Sequence, residues 1–404
     1  MLTLLNARLI DGTGAPPQTG VTVRIDGSRI AAVAGPGATP PAPDGPTIDL
    51  AGRTLLPGLI NAHIHILMEA NSGDSFASMH QESLPNLTIQ AAARGRQLLA
   101  AGITTARDLG GYQYVELALR DAFARGTLPG PRLLCAGKLI TMTGGHGWPI
   151  GREADGPVDM RKAVREQLKA GADVIKLMAT GGVLTRGVEP GSAQLEEDEL
   201  RAGIEEAHKA GRRTAAHAQG TTGIKNAIRA GIDTIEHGIF LDDEAVALMR
   251  ERGVIFVPTL AAPYQIVAAG EARGIPAYAV EKSRRITEAH FRSFALAHAA
   301  GVVIAAGNDG GTPFNPAADL VTELRLMTEH GMTALEALRT AGEGSARALG
   351  VAGEIGTVAP GKAADLLVVD GDPLAEIGAL GRPWLVIQGG QVVVSAPDRP
   401  PSAH

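Results

Sequence analysis

Short apolar runs punctuate the middle of the chain, and longer Ala-rich stretches with helical spacing lie between them. The runs fall at 58–66, 103–108, 132–136, 174–178, 214–217, 234–237, 254–260 and 302–309, with helix-like patterns such as 196–209, 242–251 and 276–299 in the intervals. Runs this short suit strands covered on both faces, and parallel strands need helical crossovers. Eight such units in succession predict a (β/α)8 barrel of the α/β class over residues 58–347. The two ends read differently. Segments 4–10, 21–25, 30–33 and 47–50, and then 364–370 and 384–394, are short strand-like runs separated by Asp-Gly, Gly-Gly and Pro-rich breaks. Residues 35–46 can only be a loop. Two β-rich ends around an α/β middle predict one discontinuous module, a small β-sandwich built from 1–57 and 348–404.

Composition narrows the class without naming a function. The 404 residues are 45% apolar and 20% charged with a net charge of −6, ordinary values for a globular chain able to bury a large core. Basic residues are dispersed and aromatics make up 3%, which argues against a nucleic-acid partner. No apolar run approaches ~18 residues, so no membrane partner is expected. The start, MLTLLNARLIDG, reads as a strand rather than a secretion signal, and a cytoplasmic location is expected. The single cysteine, Cys135, rules out a disulfide framework and a Cys-based metal site, and its apolar setting reads as an inert core thiol.

The polar residues that end the predicted strands carry the chemistry. In Asn61-Ala62-His63-Ile64-His65 the imidazoles of His63 and His65 share one face of a strand, since positions i and i+2 do. Two convergent neutral imidazoles suit a divalent metal, although this pattern alone also fits polar residues at a strand end. His217 and His237 end neighbouring runs 20 residues apart, which puts them at equal height at the C-terminal mouth of a barrel. Asp309 closes the eighth run before Gly310-Gly311. A turn or helix cap would explain it, but beside four histidines a metal ligand that also carries protons is the better reading. Lys176 sits inside the fourth run, where it is either made neutral by burial or reaches the rim or a carboxylate.

Taken together these residues resemble the amidohydrolase superfamily. The matching pieces are Pro57-Gly58-Leu59-Ile60-Asn61-Ala62-His63-Ile64-His65, Val174-Ile175-Lys176-Leu177, His217, Glu236-His237-Gly238 and Asn308-Asp309, with Leu5 to Gly12 and Gly356 to Leu367 matching the flanking module. The resemblance covers almost the whole chain. It implies that His63, His65 and Asp309 bind one divalent ion and His217 and His237 a second, and that Lys176, carboxylated by CO2, bridges the two. A hydroxide held between the ions would attack the scissile carbonyl, and Asp309 would pass its proton to the leaving amine. Zinc is the default metal, with Mn, Co, Ni or Fe open to a site of N and O ligands.

Further motifs narrow the resemblance. Met142-Thr143-Gly144-Gly145-His146, Gly181-Gly182-Val183-Leu184 and Pro258 to Tyr264 look like the imidazolonepropionase-related branch acting on dipeptides and N-acyl amino acids. That branch includes Xaa-Pro dipeptidases, carboxypeptidase-like enzymes for basic residues and ochratoxin-degrading amidohydrolases. The resemblance implies a catalytic and substrate-contacting role for His146 and a carboxylate contact for Tyr264. Arg186, after the fourth strand, is a candidate partner for an acid group, against a solvated loop arginine. His80 and His290 read as surface residues. Specificity is expected in loops at 66–90, 138–158, 180–195, 261–290 and 310–318. The expectation is a hydrolase, assembling as a homo-oligomer, for a small substrate with a free carboxylate. The alternatives are a hydrolase of carbamates, ureas or cyclic amides, and a catalytically silent scaffold, against which six intact ligand positions weigh.

Overall fold

The structure is a computed structural model that describes residues 1–35 and 45–395. Most of the expected loop at 35–46, and the end of the terminal module at 396–404, lie outside the described residues.

Strands Leu59–Ile64, Ile103–Asp108, Arg132–Cys135, Val174–Met178, Arg213–Ala218, Thr234–His237 and Ile255–Val257 follow one another around a barrel, paired in parallel within two ladders. Between the third and fourth strands the ladder is interrupted; Asp173 N–H donates to Cys135 C=O at 2.8 Å, and Ile140 pairs with Leu177. The eighth run departs from expectation, because it makes isolated bridges, at Ile304 and just beyond its end at Gly310, rather than a regular strand. It still closes the barrel. Phe256 N–H donates to Val303 C=O at 2.9 Å on one side, and Ala62 N–H donates to Ala306 C=O at 2.8 Å on the other. Glycine explains the close approach: a Cβ on Gly307 would lie 2.8 Å from the His63 backbone nitrogen.

The surrounding helices start where local chemistry satisfies their free N–H groups. Asp242 accepts from Ala245 N–H to begin Asp243–Arg252, and Glu196 and Glu199 form a capping box at the start of Glu197–Lys209. Three of the expected loops contain helical turns, 138–158 only the short Trp148–Ile150 turn and the start of Gly156–Ala170. Segment 66–90 includes Ser75–Gln81, capped by Asp74, and the first turns of Leu84–Ala100. Segment 261–290 includes Ala261–Ala269, whose first turn is held by the Glu323 carboxylate accepting from Leu260 and Ala261 N–H, and half of Ala277–Ala299. Among the described residues no helix is long and apolar enough to cross a membrane.

Both ends of the chain meet in one eight-stranded sheet, where Leu366–Val369 pairs antiparallel with Thr54–Pro57. Alternation splits these strands between two cores. Leu55, Leu366, Val368, Leu385 and Ile387 face a core of the sheet's own, while Leu56, Leu367, Val369 and Val386 pack into the barrel core. The sheet thereby anchors the strand that enters the barrel at Leu59, two residues after Pro57.

Candidate metal centre and substrate cavity

The first barrel strand is buried throughout, so an imidazole here needs a partner on each polar edge. His63 Nδ1 lies 2.9 Å from Glu236 Oε2, and His65 Nδ1 lies 3.0 Å from Gly110 C=O. Each contact turns the ring's Nε2 toward Asp309, whose Oδ1 is 3.3 Å from His63 Nε2 and 3.2 Å from His65 Nε2. The ligating atoms of these three residues lie within 4.8 Å of one another. Asp309 is delivered by a knot of amides. Asn61 Nδ2 donates to Asn308 Oδ1 at 2.8 Å, while Asn308 Nδ2 donates to Pro316 C=O at 3.0 Å.

The remaining imidazoles continue from this cluster. Ring centroids are 5.2 Å apart for His63 and His237, 4.5 Å for His237 and His217, and 4.5 Å for His217 and His146. His237 Nδ1 is held by Thr259 Oγ1 at 2.7 Å, and His217 Nε2 by Gly181 C=O at 2.9 Å. His237, Thr259 and Asp309 have positive φ angles of 73°, 55° and 54°, at the C-terminal ends of the sixth, seventh and eighth barrel segments. Non-glycine residues adopt this conformation at a cost of order 1–3 kcal/mol, and such strain gathers at functional sites.

Lys176 completes the group. It is 1% exposed, and its Nζ has no hydrogen-bond partner among the described residues. Burial lowers its pKa to about 8, against the opposing pull of Glu236 and Asp309. Burial likewise holds His217 and His237 well below the normal imidazole value and lowers His63 to about 4, so these rings are neutral donors of a lone pair. Burial would raise the Asp309 carboxyl, but His63, His65 and Lys176 outweigh it and hold the group well below the usual carboxylate range.

His63, His65, Lys176, His217, His237, Asp309 and His146 all line one cavity. Its other walls are mostly apolar, among them Met68, Phe76, Leu139, Ile150, Ile239 and Ile266, with Gln219, His290 and Thr312 as polar members. Tyr264 and Arg186 do not line it. Tyr264 sits on Ala261–Ala269, where Pro263 and Ile266 take the cavity side and its own ring meets the Arg325 guanidinium at 5.5 Å. Arg186 is exposed in the loop after the fourth strand. His290 corrects the surface reading. It is 1% exposed, lines the cavity, and its Nε2 lies 2.7 Å from Pro258 C=O. His80 is exposed, but on helix Ser75–Gln81 rather than a loop, with its ring nitrogens against the carbonyls of Phe76 and Pro149. Cys135 is buried and burial raises its thiol pKa well above normal, as expected of an inert core residue.

Sequence reasoning missed the supports beneath the histidines. Arg107 donates to Glu236 Oε1 at 2.8 Å and to Ala62 C=O at 2.7 Å, and both charged groups are fully buried. Glu236 thus orients His63 while Arg107 holds it ionised, which keeps its carboxyl below the normal value despite burial. The only sequence signal was a glutamate preceding His237 and an arginine inside a predicted strand.

A (β/α)8 barrel with a histidine–carboxylate cluster at its C-terminal mouth is an arrangement suited to metal-dependent hydrolysis. The amidohydrolase family model matches residues 54–393, and the chain belongs to that family. Amidohydrolases generally use divalent metals, and the His63–His65–Asp309 cluster is consistent with one. An ochratoxinase from Aspergillus niger is 32% identical over 367 residues, covering 82% of this chain and 73% of its own. The crystal structure of a Xaa-Pro dipeptidase with methionine bound in the active site has a TM-score of 0.88 at 32% identity, covering 97% of this chain and 99% of that one. The crystal structure of the Aspergillus niger ochratoxinase has a TM-score of 0.89 at 29% identity, covering 98% and 96%. The family and these relatives support a hydrolytic enzyme and, more narrowly, amide hydrolysis.

Proposed function

We propose that the protein is a binuclear metal-dependent hydrolase cleaving an amide bond flanked by apolar groups, in a dipeptide, an N-acyl amino acid or an ochratoxin-like amide. The observation that carries this reading is the unpartnered Lys176 Nζ inside a cavity of imidazoles and one carboxylate. A buried ammonium without an acceptor is costly and would repel cations. Carboxylation by CO2 turns the same side chain into an anionic oxygen ligand, so the donor set fits two ions. His63, His65 and Asp309 would hold one, His217 and His237 the other, with carboxylated Lys176 between. Bound there, divalent ions supply Lewis acidity and lower the pKa of a water toward ~7; zinc is the default.

The chain's own residues would do the rest. Asp309 faces both imidazoles through Oδ1, which leaves Oδ2 to take the proton of the attacking water. As the C–O bond forms and the C–N bond breaks, Asp309 returns that proton to the leaving amine. His146, whose pKa burial lowers to about 3, acts as a neutral donor to the carbonyl oxygen. The apolar walls take the flanking groups. Among the described residues no carboxylate but Asp309 lines the cavity, which disfavours a basic side chain. The terminal sheet is read as the small β-sandwich module of 1–57 and 348–404.

The test is a metal analysis joined to an activity panel of Xaa-Pro dipeptides, N-acyl amino acids and ochratoxin-like amides. About two equivalents of metal are expected, with turnover concentrated on apolar-flanked amides. Less than about half an equivalent, with no turnover of any amide, would favour a silent scaffold. Lys176→Ala is expected to lose metal unless a short carboxylic acid is supplied. Full retention of metal and rate would refute the bridge.

A further inference from the structure

Inside the cavity His146 is held by a side chain from the loop after the fourth barrel strand. Its Nδ1 lies 2.7 Å from Thr185 Oγ1, and the same oxygen accepts from Gly147 N–H at 3.2 Å. The loop carrying Thr185 is in turn held from below by a buried lysine. Lys282, on helix Ala277–Ala299, donates to Thr185 C=O at 2.9 Å, to Val188 C=O, and at 3.5 Å to Gly182 C=O. From the same helix Tyr278 Oη donates to Leu184 C=O at 3.1 Å. Gly182 marks how closely the loop meets the ring, because a Cβ there would lie 2.3 Å from His146 Nε2. A lysine 5% exposed, with carbonyl oxygens as its hydrogen-bond partners and no ion-pair carboxylate among the described residues, is an unusual use of charge.

The hydroxyl of Thr185 decides which nitrogen of His146 carries the proton. It already accepts from Gly147, and among the described residues its own proton has no acceptor but His146 Nδ1. A threonine hydroxyl donates once. If it donates to Nδ1, the imidazole carries its hydrogen on Nε2, the edge beside Gly182 and the cavity.

We infer that Thr185 is a positioning residue that, clamped by Lys282, holds His146 as its Nε2–H tautomer so that this edge donates to the carbonyl oxygen of the scissile amide. The inference rests on the amide-hydrolase reading for its consequence, while the tautomer itself can be observed without turnover. Only the hydrogen bond to the carbonyl oxygen strengthens as negative charge gathers there, so its loss falls on kcat rather than on KM.

The decisive variant is Thr185→Val, which keeps the shape and removes the hydroxyl. With the metal-loaded enzyme, kcat is expected to fall on the order of 10- to 100-fold with KM within about twofold and metal content unchanged, and Thr185→Ser to restore most of it. In a His146→Asn background, Thr185→Val should cost nothing further; a full additional loss would show that Thr185 does not act through His146. Nitrogen-15 NMR of the labelled histidines reads the inference directly. A protonated Nε2 and unprotonated Nδ1 at His146 are expected in the parent, shifting to a tautomer mixture in Thr185→Val. A protonated Nδ1 in the parent overturns the inference whatever the enzyme hydrolyses. A correct tautomer in a protein that cleaves no amide would instead sink the functional reading. Lys282→Met, which drops the ammonium and keeps the stem, should give the same mixture; a pure Nε2–H signal there would remove Lys282 from the clamp.

Discussion

Arg107 and Glu236 show what a buried charge does when it is fully paired. The guanidinium and carboxylate are 1% and 0% exposed and meet at 2.8 Å, with the second carboxylate oxygen spent on His63. Removing one partner strands the other, a loss of about 3–5 kcal/mol for buried pairs. Glu236→Gln should therefore lower the melting temperature and weaken metal binding about 10- to 100-fold, as loss of an orienting contact does. Unchanged affinity in a metal titration would separate His63 from this support. Asp309→Asn should keep the fold and lose turnover by at least about 10²-fold, the range of a lost proton carrier; near-parent rates with full metal would exclude it from proton transfer. The histidines were legible because each ends an apolar run, a purely local signal. Arg107 was not, since its partner lies 129 positions away and nothing near it predicts the pairing. His290 was misread for a related reason. Helical spacing gives a stripe but not the carbonyl of Pro258 that the stripe meets.

At the scale of elements, the eighth barrel segment is the informative departure. It reads as a strand like the other seven, yet regular pairing gives way to the left-handed turn at Asp309 and to the side-chain amides of Asn61, Asn308 and Asn315. Its seam with the first strand needs a residue without a side chain at Gly307, where a Cβ would meet the His63 backbone nitrogen at 2.8 Å and Val257 Cγ1 at 2.8 Å. Gly307→Ala is expected to push the two segments apart and lower metal content together with the urea midpoint. Gly211→Ala is the control. Its φ of 67° strains an alanine, but nothing lies within 4 Å, so stability should fall by about 1 kcal/mol with metal retained. Equal metal loss in both would assign the effect to general destabilisation. The helix boundaries at 196–209, 242–251 and 276–299 were readable within a few residues because caps and periodicity are local. The helices inside 66–90 and 261–290 were not, since Ala261–Ala269 begins on a carboxylate supplied from Glu323, far along the chain.

For the whole molecule, metal and protons should both register as stability. The proposed ligands come from the first, fourth, fifth, sixth and eighth barrel segments, so ions bound there would tie the barrel across its mouth. Chelation should lower the melting temperature, because a ligand that binds only the folded state stabilises it by mass action; an unchanged melt after verified metal loss would contradict this. Protons act through carboxyls far from solvent. Burial, with Asp108 adding to it, raises Glu116 from 4.5 to about 8, and neither of its oxygens has a partner among the described residues. The folded state then holds this proton more tightly than the unfolded chain. The stability it contributes is complete below about pH 4.5 and is lost as the pH rises through about 8. Glu116→Gln should flatten the decline in melting temperature across that window and be the more stable form at its upper end; a parallel decline in both would place the titration elsewhere. What the sequence determined by itself was the barrel, the β-rich ends and the polar strand endings, because strand period, helix spacing and the run-terminal position of a histidine are properties of neighbouring residues. Only the tertiary structure decided that Lys176 has no partner, that Arg107 and Glu236 stand behind His63, that Thr185 reaches His146, and that Tyr264 and Arg186 stay out of the cavity. Those facts depend on which distant segments the closed barrel brings within hydrogen-bond reach, and no local pattern encodes that distance.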